Sequence, residues 1–378
     1  MRQRVVVVGL GDTGLLSAVR LSRDFDVCAV STKPCMLSGQ ELGLRLARPD
    51  AWRAASVIDF HRYKGLDGVD VIHGRAVHVD PQARVLFAET VEGHQRPLPY
   101  DALLIATGVR NGFWRNGRVE SRETIEADIE QRAETLRRAQ TLAVIGGGPS
   151  GVGAAANARR QQPQQAVHLF YSRRLPLPGY HPRTRIEVAR RLAELGVILH
   201  PEHRAEVPQA ATDDAMTAGP VLWQTAQPPF HADVVLWTVG RTQPNSGFLP
   251  AEVLDEAGFI RVDPMLRIPD WPGVFAVGDV AATDIHRSSA RNQGHRVAVR
   301  NIRAHLADRP DRMRALHTLP SYRWGSVFGL QPEGLRVYFP SGRAITFGPL
   351  VSIWLLFRII VGEVLYRGIQ AFNVRAMR

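Results

Sequence analysis

The chain has 378 residues, 45% of them hydrophobic and 22% charged, with a formal net charge of +11. That length exceeds one ordinary core and implies two or three domains in a globular body. All but Lys33 and Lys64 of its 47 basic residues are arginine, spread along the chain in pairs such as Arg137-Arg138, Arg159-Arg160 and Arg190-Arg191. A nucleic-acid binder gathers its charge on one face or tail, so no nucleic-acid partner is expected. Solvated helix faces are the plainer reading, and an acidic membrane surface or an acidic partner protein stays open. Two cysteines, Cys28 and Cys35, form neither a disulfide framework nor a zinc set. The thirteen histidines show no metal-ligand spacing, and His181, His286 and His295 read as surface or satisfied side chains.

From the N-terminus, Arg4–Val8 is a β-branched run that reads as a buried parallel strand. Gly9-Leu10-Gly11-Asp12-Thr13-Gly14 follows, then a helix over 15–21 and a second strand over 26–30. That is a βαβ unit. So early a strand leaves no room for a cleavable signal, and cytoplasmic residence is expected. Residues 120–138 have helical period. They lead into a second copy of the same grammar. Its parts are the strand Thr141–Ile145, the turn Gly146-Gly147-Gly148-Pro149-Ser150-Gly151, a helix over 152–160 and a strand over 166–171. A helix over 184–195 ends at Gly196, and 210–229 reads as hairpin and loop. Between Trp324 and Phe347, Pro332-Glu333-Gly334 and Pro340-Ser341-Gly342 punctuate two hairpins. Residues 350–372 form a last, apolar helix. Ser352 and Arg358 break its apolar run well short of the roughly 20 residues a spanning helix needs.

Each glycine set answers three needs: a tight turn, close approach of the backbone to a pyrophosphate, and close packing of helix on strand. The helix N-terminus then faces the phosphates with its amides and dipole. Gly9, Gly11 and Gly14 form one set; Gly146, Gly148 and Gly151 form the other. A chain that binds two dinucleotides most naturally holds a flavin and a nicotinamide.

Three further segments complete a resemblance to a known family. Asp101-Ala102-Leu103-Leu104-Ile105-Ala106-Thr107-Gly108, Leu236-Trp237-Thr238-Val239-Gly240-Arg241-Thr242-Gln243-Pro244-Asn245 and Val274-Phe275-Ala276-Val277-Gly278-Asp279 stand in order after the first glycine set. With both glycine turns they resemble the two-dinucleotide flavoproteins. That family includes glutathione reductase, apoptosis-inducing factor, ferroptosis suppressor protein and type II NADH dehydrogenases. The likeness spans roughly residues 4–305. It implies an α/β fold of two Rossmann-like, three-layer domains, the second inserted in the first. The FAD domain would be 1–112 and 255–318, and the NAD(P)H domain 113–254. Residues 319–378 would add C-terminal hairpins and an amphipathic helix. By the same likeness Gly9, Gly11, Gly14, Thr107, Gly108, Gly278 and Asp279 contact FAD, and Gly146, Gly148 and Gly151 contact NADH or NADPH. Val77 maps to the place where the backbone meets adenine.

Departures from the family pattern are informative. The carboxylate that binds the adenosine ribose at the end of the second strand is replaced by Ser31, followed by Thr32 and Lys33. Ser31 and Lys33 are therefore expected at the FAD site, with hydroxyls holding the ribose and FAD bound less tightly than usual. Gly153 stands where many relatives carry a glutamate. Arg173 and Arg174 follow the corresponding strand of the second unit, where no carboxylate repels a 2′-phosphate, so NADPH is expected to be accepted. No Cys-x4-Cys pair exists, and no cysteine follows Cys35, which sets aside disulfide and sulfide:quinone reductases. Electrons must then leave the flavin directly. Asn292 and Gln293 resemble the polar pair that quinone-reducing relatives place beside the flavin.

The resulting expectation is an FAD-dependent NAD(P)H dehydrogenase with a quinone-type acceptor. A ferredoxin-type reductase and a redox-sensing flavoprotein like apoptosis-inducing factor are the rivals. At 3.6-residue spacing, Ile353, Trp354, Phe357, Ile360, Val361, Val364, Leu365 and Phe372 share one broad face. That face would dock peripherally on an anionic membrane at its inner side, or fold onto the body or a second copy in a homodimer.

Overall fold

The computed structural model describes residues 2–37, 42–110, 117–209, 211, 215–239, 242–283, 293–317 and 322–370. Two separate sheets organise them. The first runs in the order Val274–Ala276, Ala102–Ile105, Arg4–Val8, Asp26–Ser31, Asp70–Asp80, Val85–Thr90 and Gln95–Pro99. Its first five strands are parallel, and the long strand Asp70–Asp80 passes from parallel pairing with Asp26–Ser31 into an antiparallel meander. The four valines of Arg4–Val8 are buried, as the central strand of a sheet covered on both faces requires.

The second sheet runs Ile198–His200, Ala166–Phe170, Thr141–Ile145, Phe230–Trp237 and Met216–Val221, all parallel but the last. Every one of its strands lies in sequence between Ala102–Ile105 and Val274–Ala276, two neighbours in the first sheet. The second unit is therefore inserted in the first. The chain crosses out at Val109–Arg110 and back at Gln243–Pro244, and these short strands pair antiparallel. Thr107 Oγ1 donates to the Asn245 carbonyl at 2.7 Å, and Asn245 Nδ2 donates to the Thr107 carbonyl at 3.0 Å. The outward and return crossings are thus stitched together.

The helix of the inserted unit's linker is Arg122–Arg138, capped by Ser121, and the later one is Pro182–Glu194. Both hairpins expected between Trp324 and Phe347 are present, as the three-stranded sheet Leu330–Gln331, Gly334–Tyr338 and Ala344–Phe347. This sheet lies against the inserted unit. Asn157 Nδ2 donates to the Phe328 carbonyl at 3.0 Å, Arg160 pairs with Glu333, and Arg336 and Tyr338 both bond Glu187.

The last helix, Val351–Leu365, is wound as a π-helix and divides its apolar residues differently from the 3.6-residue expectation. Its wider turn moves residues four and five apart onto one line. Ile353 is buried, and Phe357, Val361 and Leu365 pack against the core of the first unit. Trp354, Ile360 and Val364, expected on that same face, point outward with Leu350, Val351, Leu355 and Ile359. Phe372 lies outside the described residues. After the helix the chain returns to the first unit. Tyr63 and Ile369 form an antiparallel bridge, Lys64 N donates to the Gly368 carbonyl and Gln370 N to the Arg62 carbonyl. The Tyr63 and Tyr366 rings meet edge to face at 5.2 Å. No described helix is long and apolar enough to cross a membrane.

Candidate dinucleotide-binding sites

Both glycine turns have the same division of labour. Gly9 has φ +91° and binds the Val30 carbonyl through its N–H at 2.8 Å. A Cβ there would lie 2.6 Å from the Ala106 carbonyl oxygen. A Cβ on Gly14 would overlap the Gly9 carbonyl oxygen, so this glycine seats the helix Asp12–Leu21 against the strand end. Gly11 differs: nothing lies within 4 Å of its added Cβ, and it stands at the helix N-cap. In the second turn Gly146 has φ +127°, and a Cβ on Gly151 would overlap the Gly146 carbonyl oxygen. Gly148, the N-cap of the helix Pro149–Gln161, again faces open space. Two glycines in each turn are required by the protein's own packing. The third keeps a cradle clear at a helix N-terminus, where amides and dipole favour a phosphate. The residues fit a pyrophosphate at both places.

Around the first turn the sheet edge brings in the other expected contacts. Thr107 and Gly108 (φ +66°) follow Ala102–Ile105, and the Thr107 Cα would stand 2.8 Å from a Cβ on Gly9. Gly278 has φ +85°, and its added Cβ would lie 3.4 Å from Thr13 Oγ1. Gly278 therefore faces the first turn of Asp12–Leu21, and half-buried Asp279 follows it in the chain. Val77 falls at the irregularity between Ala76 and His78, where the meander's register shifts.

At the end of Asp26–Ser31, the Ser31 hydroxyl is turned back on the chain. It donates to the Lys33 carbonyl at 2.8 Å and accepts from the Lys33 N–H at 3.2 Å. Lys33 Nζ pairs with Glu120 and donates to the Arg118 carbonyl at 2.9 Å. Burial pulls the Lys33 ammonium below its ordinary value, and the Glu120 carboxylate opposes that. Glu120 has no signal in the local sequence: it lies 87 residues from Lys33.

In the inserted unit Thr238 buttresses the turn, its hydroxyl donating to the Ile145 carbonyl at 2.8 Å. Arg173 and Arg174 are exposed beyond the end of Ala166–Phe170, with Arg174 Nε 3.7 Å from Glu202. Gly153 is accounted for by packing: an added Cβ would lie 2.8 Å from the Val327 carbonyl oxygen.

Of the two residues expected beside the flavin, Asn292 lies outside the described residues. Gln293, in the left-handed region at φ +60°, caps the helix Gly294–Leu306, and its Oε1 accepts from Arg296 at 3.0 Å. His295, in the first turn of that helix, departs from the expectation of a surface or satisfied histidine. It is buried, and neither ring nitrogen has a hydrogen-bond partner among the described residues. Burial, with Arg20 and Arg296 nearby, lowers it to about 4. Cys28 and Cys35 are free and buried, and burial raises their thiols to about 11 and about 12.

The chain belongs to the pyridine nucleotide-disulphide oxidoreductase family, whose model matches residues 3–301. Proteins of that family bind FAD and NAD(P)H, the two dinucleotides that the paired glycine turns of this chain fit. It is 26% identical over 353 residues to the type II NADH:quinone oxidoreductase Ndh of Mycobacterium tuberculosis, covering 81% of this chain and 73% of that one. It is also 26% identical to ferroptosis suppressor protein 1 of Xenopus laevis, over 80% of this chain and 81% of the relative. The chain spans only 59% and 56% of the lengths of two fungal oxidoreductases that it matches, ptaL and phnG. Among solved structures, the ferredoxin reductase for the CYP199A2 system of Rhodopseudomonas palustris shares the fold. The TM-score is 0.62 at 20% identity, over 85% of this chain and 79% of that one.

Proposed function

We propose that this chain is an NAD(P)H dehydrogenase that passes electrons through FAD directly to a quinone, while resting on a membrane surface. The observation that carries the reading is the pair of open cradles at Gly11 and Gly148, combined with cysteines that are buried and protonated. Bound FAD supplies the capacity to accept hydride from the nicotinamide and to release electrons to the acceptor. The protein's part is positioning. Gly146, Gly148 and Gly151 would hold the nicotinamide nucleotide's pyrophosphate. Gly9, Gly11, Gly14, Thr107, Gly108, Gly278 and Asp279 would hold FAD, and Asn292 and Gln293 would face the acceptor. The domain limits proposed are 1–112 with 255–318, 113–254, and 319–378.

The outward side of Val351–Leu365 supports the membrane reading, because it leaves seven large apolar side chains from Leu350 to Val364 exposed. A second reading, a reductase for an acidic iron–sulfur protein, has one observation in its favour. Arg20, Arg23, Arg296 and Arg303 lie close enough that the other three lower the Arg20 guanidinium, after burial. Such a patch attracts an acidic partner.

The test is an acceptor screen on the purified flavoprotein with NADH and NADPH. Fast turnover with quinones supports the proposal. Turnover confined to ferredoxin favours the second reading. A long-lived charge-transfer complex with little turnover favours a redox sensor.

A further inference from the structure

The end of Asp26–Ser31 adjoins the first glycine turn, since Gly9 N donates to the Val30 carbonyl. In a dinucleotide fold a carboxylate at this strand end holds the adenosine ribose hydroxyls. Here the strand ends in Ser31, which is buried and whose proton is given to the Lys33 carbonyl. A ribose hydroxyl needs a strong acceptor, and this serine is already committed to its own turn.

The structure brings a carboxylate beside the same strand end by another route. The segment leading into Arg122–Arg138 runs beside the strand end, with Glu120 N donating to the Thr32 carbonyl at 3.1 Å. The Glu120 side chain is 19% exposed and paired with Lys33, which is 12% exposed and also holds the Arg118 carbonyl. An ionised carboxylate has two oxygens and accepts about four hydrogen bonds, so one held by an ammonium is still of the chemical kind that binds ribose hydroxyls. We propose that Glu120 supplies the carboxylate that binds the adenosine ribose of FAD, in place of the side chain that usually ends the strand. Lys33 then acts as a positioning residue that fixes Glu120. Because Glu120 belongs to the segment leading into the inserted unit, FAD's adenosine end fastens that segment to the first sheet.

The inference rests on FAD occupying the Gly9–Gly14 turn, and its test separates the two. Flavin-stripped protein is titrated with FAD and with FMN, which lacks the adenosine, in wild type, Glu120→Ala and Glu120→Gln. Thermal melts of the stripped forms accompany the titrations. The expected result is a rise of about tenfold or more in the Kd for FAD in Glu120→Ala, a smaller rise in Glu120→Gln, and an unchanged Kd for FMN. An unchanged Kd for FAD, or equal losses for FAD and FMN, overturns the proposal, the latter whether or not the melts show destabilisation. Failure of the wild-type protein to take up FAD would overturn the flavin reading itself, and this inference with it.

Discussion

The helices Leu42–Ala47 and Pro149–Gln161 meet backbone to backbone at Gly43 and Gly153. A Cβ on Gly43 would overlap the Gly153 carbonyl oxygen and stand 2.6 Å from its carbon. The obstacle is main chain in a helix, so no side-chain rotation relieves it. Gly153 is confined on its other side by the Val327 carbonyl, so a side chain there would push on the segment ahead of the C-terminal sheet. Gly43→Ala is expected to cost about 1–3 kcal/mol through forced separation of packed elements. Thermal unfolding measures it, and a melting temperature equal to wild type would remove the contact from the list of constraints. Gly153→Glu should destabilise as well, rather than add a nicotinamide contact.

The glycine turns invite a contrast between folding and binding. Gly11→Val and Gly148→Val place their Cβ in open space, so both variants should fold, and their flavin-stripped forms should melt near flavin-stripped wild type. Gly11→Val should lose FAD. Gly148→Val should keep FAD but raise the KM for the nicotinamide nucleotide by about tenfold or more. Gly14→Ala, whose Cβ would overlap the Gly9 carbonyl, should lower stability before it affects affinity. Full flavin content in purified Gly11→Val, read from its absorbance, would contradict the assignment of this cradle.

Both nucleotide units were legible in the sequence because their signals are local. A β-branched run, a glycine turn and a helix lie within about thirty residues. The crossings were legible through the segments ending at Gly108 and Asn245. What escaped depends on partners distant in sequence. Nothing near Lys33 announces Glu120, nothing near Gly43 announces Gly153, and nothing near Tyr63 announces Ile369. The faces of Val351–Leu365 differ from those of a 3.6-residue wheel because this helix has a wider turn, which no local residue pattern announces. His295 looked like an ordinary histidine because composition cannot distinguish a solvated imidazole from a buried one without partners.

Stability should fall in mild acid. His295 is lowered to about 4 by burial and then by Arg20 and Arg296; His200 is lowered to about 4 by burial and then by His168 and His203. Both are neutral in the folded chain and gain protons on unfolding between about pH 4 and the ordinary value of 6.5. There the unfolded state binds more protons, so stability drops as the pH falls from 6.5 towards 4. Above 6.5 these groups add no slope. Chemical unfolding at several pH values should show this, with a shallower fall for His295→Leu. Parallel pH profiles for variant and wild type would clear His295 of the effect.

Arg173 and Arg174 stand exposed past the strand end where the adenosine of a nicotinamide nucleotide is expected. With Glu202 the nearby carboxylate to Arg174, at 3.7 Å, the pair can turn towards a 2′-phosphate at little cost. Arg173→Ala/Arg174→Ala should reduce kcat/KM for NADPH about tenfold while leaving that for NADH within about twofold. A constant NADPH to NADH ratio would show that these arginines face only solvent.

The last helix offers a test of membrane docking that does not disturb the fold. Removing residues 350–378 would strip Ile353, Tyr366 and Ile369 from the core they share with Asp12–Leu21, so lost activity in a truncation would reflect unfolding. The outward side is separable. Leu355, Ile359 and Val364 are 47%, 48% and 64% exposed. Each contributes at most ~1.5–3 kcal/mol when transferred from water, so three together can hold the helix at an interface. Arg358, which faces Glu363 at 3.6 Å, supplies charge close to the stripe, and burying it at the centre of a bilayer would be costly. Leu355→Glu/Ile359→Glu/Val364→Glu should keep its melting temperature, its flavin and its rate with a water-soluble quinone. It should lose about tenfold or more in binding to anionic liposomes and slow with long-tailed quinones presented in them. Liposome binding and long-tailed quinone reduction at wild-type levels would show that the stripe serves another purpose. A wild-type dimer that becomes monomeric in the triple variant would assign the stripe to a second copy of the chain.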